Sequence, residues 1–160
     1  MSLPTLVKRF SISRASGYTN PESFFDGRVV RVDRDFRKLI ETAGEKYYVD
    51  HLDCKVFQTH TGSNTDKIIT ESLFLDISKS PDTRRICAIL AYLGKEDFSL
   101  LEIPEGKREI QLILGYVSVS SKWSVLYLEH EKEGGVSNEV HLHVRSLNRW
   151  GNKTPMVLKF

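Results

Sequence analysis

The sequence predicts an α+β fold with a mostly antiparallel sheet, one well-capped helix at about 81–93 and a second short helix near 35–43. Two observations support this fold class. Apolar and polar residues alternate in several segments, as in strands with one buried face, whereas two segments carry apolar residues at helical spacing. The last third of the chain also holds three alternating segments with short connections, which is typical of an antiparallel meander. We expect the 160 residues to form a single domain.

The N-terminal segment LPTLVKRFSIS, residues 3–13, mixes apolar and basic residues and predicts either a strand or a short basic arm. Residues 14–23 contain Gly17, Asn20 and Pro21, which are typical of a linker or a mobile loop. Residues 1–22 are therefore a candidate mobile basic arm.

A short strand and a short helix are expected next. RVVRVD at residues 28–33 predicts the strand. In the following segment, Phe36, Leu39 and Ile40 have the i, i+3, i+4 spacing of a helix, and Gly44 would end it.

The middle of the chain predicts a hairpin. YYVDHLDCKVFQTH at residues 47–60 alternates and is rich in β-branched and aromatic residues. Turn-forming residues occupy 61–65, and KIITESLFLDI at 67–77 would supply the second strand.

The strongest helix signal lies at residues 80–94. Ser80 suits the N-cap, Pro81 suits the first helical position, and Asp82 is favourable near the positive end of the helix dipole. Gly94 would end the helix in a left-handed conformation. An apolar stripe connects the two ends and consists of Ile86, Ile89, Leu90 and Leu93.

The C-terminal third predicts strands at 108–120, 123–130 and 139–147, and the final MVLKF would add one more. Gly115 would mark a bulge in the first of these strands.

Charge is segregated along the chain. Residues 1–40 and 145–160 each carry a net charge of +4, whereas the residues between them carry −6 within an overall charge of +2. Positive charge at both ends favours partners with anionic surfaces, such as phosphate backbones or acidic lipid headgroups.

The composition indicates an intracellular protein of the cytoplasm or nucleus, with peripheral membrane contact as an option. The two cysteines, Cys54 and Cys87, are too sparse for a secreted disulfide framework and are expected to be reduced. The N-terminus has no apolar core of a signal peptide, and no run reaches the roughly 20 apolar residues of a membrane span. We therefore expect the protein not to be secreted.

No motif indicates catalysis, and no enzyme activity, cofactor or metal is expected. A zinc site drawn from His51, Cys54, His141 and His143 would lack the paired CxxC spacing of structural zinc sites. His141 and His143 lie at i, i+2 and must share one strand face. We interpret that face as solvated, with Val140, Leu142 and Val144 directed to the core.

Basic residues next to aromatic residues give the stronger functional signal. Cations supply phosphate attraction that is independent of sequence, and a tryptophan can stack on a base or lie at a membrane interface. The candidate contact residues for nucleic acid or lipid are Lys8, Arg9, Arg14, Arg84, Arg85, Arg145, Arg149, Trp150 and Lys153.

One passage resembles the matrix proteins of rhabdoviruses. RRICAILAYLG at residues 84–94, followed by an irregular connection and the strand REIQLILGYVSVS, is similar to a helix-then-strand passage of that family. The family's proline–tyrosine motif and the lysine-dense N-terminal tail of its animal-virus members are absent, and the small size and moderate arm charge look more like a plant-infecting member. The resemblance implies a non-enzymatic structural viral protein that self-associates, binds a nucleocapsid and lies against a membrane.

We therefore expect a non-enzymatic structural or adaptor protein that forms a homo-oligomer and binds nucleoprotein, RNA or an acidic membrane surface through its basic termini. A first alternative is a single-stranded nucleic-acid-binding module of the viral movement-protein or silencing-suppressor type. A second alternative is a small metalloprotein or hydrolase that uses His141 and His143.

Overall fold

The computed structural model describes residues 5–59, 82–119, 122–132, 139–146 and 155–160. These residues form seven strands and two α-helices: β1 Thr5–Tyr18, β2 Val29–Val32, α1 Arg34–Glu41, β3 Lys46–Gln58, α2 Thr83–Lys95, β4 Glu109–Val119, β5 Lys122–Glu131, β6 Glu139–Ser146 and β7 Met156–Lys159. Two 3-10 helices, Pro21–Phe24 and Phe98–Leu101, complete the described elements. The α+β class is thus confirmed, and no described helix has the length and apolarity to cross a membrane.

The seven strands form one curled sheet in the order β1-β3-β7-β4-β5-β6-β2. The predicted meander of β4, β5 and β6 is confirmed, and its strands pair antiparallel. The expectation of a mostly antiparallel sheet is wrong, because the sheet is mixed: β2 runs parallel to β6, and β7 runs parallel to β4. Both parallel pairs join strands that are far apart in sequence, and local alternation carries no information about such pairing.

The N-terminal segment is built into the sheet. Residues 5–18 form the edge strand β1, which pairs antiparallel with β3. The strand alternative for 3–13 is thus confirmed from residue 5 onwards, whereas 14–18 continue the strand instead of forming the expected loop. Phe10 and Ile12 turn inward, and the Phe10 ring stacks on Tyr92 of α2 with 4.7 Å between centroids. This apolar contact with a helix explains why the segment is held against the sheet.

Both helices pack on one face of the sheet and enclose the main hydrophobic core. Phe36 and Ile40 of α1 are fully buried there, as are Ile86, Ile89 and Leu90 of α2. The strands contribute Leu52, Cys54, Val56, Leu112, Leu126, Leu128, Val140, Leu142 and Leu158, among others. We call this side the helix face of the sheet and the other side the outer face.

The ends of α2 differ from their expected positions. Asp82 is the N-cap, and its carboxylate accepts the backbone N–H groups of Arg84 and Arg85 at 3.1 and 3.4 Å. The expected N-cap Ser80 and Pro81 lie outside the described residues. Gly94 does not end the helix, which continues through Lys95, because its missing side chain serves close packing against the backbone of Phe24.

The remaining elements follow the sequence closely. α1 begins one residue before the expected 35–43 segment and ends two residues before its end, and Gly44 follows it with a φ of 90°. The bulge expected at Gly115 is present, since the β4–β5 register shifts between Ile113 and Gly115. The second strand of the expected hairpin, 67–77, lies outside the described residues, and the neighbours of β3 are β1 and β7.

Candidate functional site

The outer face carries opposite charges at its two ends. Where β1, β3 and β7 meet, exposed cations line up across the strands, and where β4, β5, β6 and β2 meet, carboxylates and histidines gather. The centre between these two ends is apolar, with Ile113 and Val157 fully buried.

Three cations form what we call the basic row: Arg9 of β1, Lys55 of β3 and Lys159 of β7. Arg9 pairs in register with Lys55, and Lys55 pairs in register with Lys159, so all three side chains project from the outer face side by side. All three residues are exposed. Like charges directly opposite each other in a sheet are destabilising. Such a row therefore gains stability when an anion lies across it.

The neighbouring acid of the basic row is already engaged. Asp53 lies two residues before Lys55 on β3, and its carboxylate accepts a 2.6 Å hydrogen bond from the Ser11 hydroxyl. His51 Nε2 lies 3.2 Å from the same carboxylate oxygen. These two contacts, with Ser11 the larger, hold the pKa of Asp53 below its usual value. Asp53 is therefore a carboxylate at neutral pH and offsets part of the positive charge of the three cations.

The other candidate cations of β1 are placed differently. Lys8 projects from the helix face and forms an ion pair with Asp97, so it does not join Arg9. Arg14 is exposed and has a φ of 52°, in the left-handed region that few residues other than glycine adopt. Of the three β1 cations singled out in the sequence, only Arg9 belongs to the basic row.

The remaining candidate cations lie elsewhere. Arg84 and Arg85 are exposed at the start of α2, where their Nε atoms lie 3.6 and 3.5 Å from the Asp82 carboxylate. Arg145 of β6 is half-buried, with its guanidinium 5.8 Å from the centre of the Tyr127 ring. Three candidates lie outside the described residues: Arg149, Trp150 and Lys153. The described candidates therefore do not converge on a single patch.

The other end of the outer face holds the histidine–carboxylate cluster, by which we mean Glu109, Glu129, Glu131, Glu139, His141 and His143. Register alone brings these residues together. Glu131 of β5 lies opposite both Glu109 of β4 and Glu139 of β6, and Glu129 lies opposite His141. The alternation of each strand then directs these side chains to the same face.

The ligand atoms of Glu131, Glu139 and His141 all lie within 4.8 Å of one another. His141 Nε2 is 3.2 Å from a Glu139 oxygen and 3.8 Å from a Glu131 oxygen. Glu109, Glu129 and Glu131 form a second such group that shares Glu131. Imidazole nitrogen and carboxylate oxygen are both common metal ligands.

His143 lies beside this group and is held by an acid of its own. Its Nδ1 is 3.2 Å from a carboxylate oxygen of Asp33, and the same oxygen accepts the backbone N–H of Val144 at 3.1 Å. Its Nε2 is directed towards Glu129, 3.9 Å away. The His141 and His143 rings stack with 5.3 Å between their centroids.

Two glutamates of the cluster have pKa values shifted in opposite directions. A hydrogen bond with Glu129, followed by burial, raises the pKa of Glu131 to about 7. The pKa of Glu139 is lowered instead, chiefly by its hydrogen bond with His141 and further by Arg31, whose guanidinium is 3.4 Å away. Glu129 itself is buried and accepts a 2.7 Å hydrogen bond from the Gln111 side chain.

The predicted position of the two β6 histidines is partly wrong. Val140 and Leu142 are fully buried in the core, as predicted. However, the side chains of His141 and His143 are only 17% and 20% exposed, because carboxylates and the Tyr127 ring surround them, so their face is not solvated.

The four-residue zinc site drawn from the sequence is not assembled. His51 and Cys54 lie on β3, four strand positions from β6 in the sheet, or about 19 Å along it. Their side chains also point to opposite faces, since His51 contacts Asp53 on the outer face and Cys54 is buried in the core. Burial raises the pKa of the Cys54 thiol to about 12, which disfavours the thiolate that zinc requires.

The sequence analysis missed Lys55, Lys159, Glu129, Glu131 and Glu139 as site residues. The sequence did indicate that these side chains lie on the polar face of a strand, because each occupies a polar position of an alternating segment. What the alternation cannot supply is the register that aligns these positions across neighbouring strands.

Comparisons with protein-family models, with curated proteins and with solved structures find no match to this chain. The similarity to rhabdovirus matrix proteins therefore stays a prediction based on the helix-then-strand passage.

Proposed function

We propose that this protein is a non-enzymatic binding protein that contacts the phosphate groups of single-stranded RNA, free or in a nucleoprotein, through the basic row. The observation that carries the proposal is the in-register alignment of Arg9, Lys55 and Lys159 on three adjacent strands. Neighbouring strands are about 4.8 Å apart, so the row extends over roughly 10 Å. A phosphate chain that crosses the strands can contact all three cations.

The number of phosphates contacted gives the expected salt dependence of RNA affinity. Neutralising three phosphates of a single strand predicts a slope of about −2 for the logarithm of affinity against the logarithm of salt concentration. Affinity should then fall roughly 20-fold between about 50 and 200 mM salt. Each cation should contribute about 0.7 to that slope.

The test is fluorescence anisotropy of labelled single-stranded RNA with the full chain across a salt series. We expect the triple variant Arg9→Gln, Lys55→Gln, Lys159→Gln to lose most of the slope and the low-salt affinity. A control variant with the same change in charge replaces Lys38, Lys107 and Lys132, which are exposed elsewhere, with glutamine. Wild-type affinity and slope in the first variant would disprove the proposal, provided its circular dichroism is native.

An acidic membrane surface is the competing outcome. Flotation with phosphatidylserine vesicles, in the absence of RNA binding, would replace RNA by lipid as the partner. The matrix-like role implied by the rhabdovirus resemblance includes binding to nucleoprotein and to a membrane. The RNA-binding and vesicle-flotation assays test these two activities separately.

Self-association is the second part of the proposal, and the edge strand β1 supports it. β1 has β3 on one side and no neighbour among the described strands on the other. Its outward N–H and C=O groups can pair with β1 of a second copy about a two-fold axis. Light scattering after size exclusion tests this pairing, and a proline at a β1 residue whose N–H points away from β3 should shift a dimer towards monomer.

A further inference from the structure

The histidine–carboxylate cluster has no part in the proposed RNA contact, and its chemistry is of a different kind. We infer that it binds one divalent transition-metal ion, such as Zn²⁺ or Mn²⁺, through His141 Nε2 and the carboxylates of Glu131 and Glu139. Glu129 and His143 lie beside these three ligands as further donors. Glu109 is the member of the cluster on β4, and Asp33 flanks the cluster.

The spacing of the donor atoms fits a single ion. Ligands that each lie about 2.1 Å from a metal, at tetrahedral or octahedral angles, are roughly 3–3.5 Å from one another. His141 Nε2 is 3.2 Å from Glu139 and 3.8 Å from Glu131, so small side-chain rotations bring all three atoms to a common centre. The three residues come from the paired strands β5 and β6, which fixes their separation.

The contact between His143 and Asp33 is of the kind that orients a metal-binding histidine. Histidines that bind metals usually donate the other ring N–H to a carboxylate, which orients the ring and directs its free nitrogen to the ion. Asp33 lies 3.2 Å from His143 Nδ1 and is itself held by the Val144 N–H. The imidazole Nε2 is thereby directed into the cluster, towards Glu129.

The charge of the cluster also favours a cation. Glu109, Glu131 and Glu139 lie directly opposite one another on three strands, and like charges so placed repel. Arg31 contacts Glu139 from β2 and offsets one of these charges. A bound divalent ion would offset the negative charge of Glu131 and Glu139 further, on a face where Glu129 is almost fully buried.

The ligand set determines which ions should bind. Carboxylates alone would suit Ca²⁺, Mg²⁺ or Mn²⁺, but an imidazole ligand shifts the preference towards Zn²⁺. We therefore expect Zn²⁺ to bind with a stoichiometry near one, Mn²⁺ to bind at the same site more weakly, and Ca²⁺ to bind far more weakly.

The first test is titration calorimetry of the full chain with Zn²⁺ or Mn²⁺ after removal of metals with EDTA. We expect His141→Ala and Glu131→Gln each to weaken binding by at least about 10-fold, because each removes one of the three ligands. The matched controls His51→Ala and Glu102→Gln change exposed residues outside the cluster and should bind like wild type. Equal affinity in the cluster variants and the controls would overturn the inference.

The second test uses the wild-type protein, so that it does not depend on the folding of variants. The chain has five histidines, and their ring signals can be followed by NMR during addition of Mn²⁺. We expect the paramagnetic ion to broaden His141 and His143 first and to leave His51 sharp. Earlier broadening of His51, or no broadening at stoichiometric Mn²⁺, would refute a site in the cluster.

Discussion

Gly94 gives the sharpest test of the packing between α2 and the rest of the core. A Cβ at this position would lie 2.8 Å from both the carbonyl carbon of Phe24 and Cδ1 of Phe25, and closer still to the Phe24 carbonyl oxygen. Phe24 and Phe25 are each only 1% exposed, so neither can move aside. Gly94→Ala must therefore displace the helix or the 3-10 helix that it contacts.

The expected effect follows from two opposing terms. Alanine is favoured over glycine inside a helix by up to about 1 kcal/mol. Overpacking of a well-filled core costs about 1–3 kcal/mol, and a Cβ that meets backbone atoms at less than 3 Å belongs to the upper part of this range, about 2–3 kcal/mol. We therefore expect Gly94→Ala to lower the free energy of unfolding by about 1–2 kcal/mol, against the direction that helix propensity alone predicts.

Urea unfolding of the purified chain measures this difference. Ala91→Gly provides the matched control, because Ala91 is only partly buried in the interior of the same helix and its glycine variant should be the less stable by about 1 kcal/mol. For a chain of this length, the loss at Gly94 corresponds to a fall in Tm of about 2–8 °C. A Gly94→Ala protein as stable as wild type would show that the contact with Phe24 is not tight.

Three further predictions concern single contacts. A hydrogen bond from Lys8, with a smaller contribution from Ser99, holds the pKa of Asp97 below its usual value. The ionised Asp97 therefore stabilises the protein at neutral pH, and this stabilisation is lost on acidification. Asp97→Asn should flatten the fall in stability below about pH 4 in acid titrations followed by circular dichroism. Burial raises the pKa values of Cys54 and Cys87 to about 12, so both thiols should react with a thiol reagent slowly in the native protein and rapidly in denaturant, and fast native reaction would contradict their burial. Leu142→Ala should cost about 2–5 kcal/mol in urea unfolding, because the side chain is fully buried in the core, and a loss below about 1 kcal/mol would contradict that placement.

The elements that the sequence predicted correctly are those with local signals. Phe36 and Ile40 mark α1 by their spacing, and the alternation of Val140 and Leu142 marks both β6 and its inward face. The N-cap of α2 was harder to predict, because Ser80 and Asp82 both suit this position and only the backbone geometry identifies Asp82 as the N-cap. Gly94 was predicted to end α2 because a glycine at a helix end often adopts a left-handed conformation. In the structure, its role is close packing instead.

The pairing of strands could not be predicted in the same way. β7 has only four residues, yet it lies between β3 and β4 and determines which side chains meet on the outer face. The contact between His143 and Asp33 depends on β2 lying beside β6, more than 100 residues later in the chain. Such contacts arise from long-range register, which periodicity within a segment does not encode.

The order of the strands also gives the segregated charge of the sequence a structural meaning. Positive charge is concentrated at the two ends of the chain, and the sheet places the first strand and the last strand on either side of β3. Arg9 from one end and Lys159 from the other thus meet across Lys55, a cation from the acidic middle of the chain that the charge count alone did not single out.

The glutamates of β4, β5 and β6 gather at the opposite end of the same face and would repel a phosphate chain from it. If both proposals hold, RNA is confined to the β1–β3–β7 end, and metal bound at the cluster reduces that repulsion. Zn²⁺ should then tighten RNA binding modestly in the wild-type protein but not in His141→Ala.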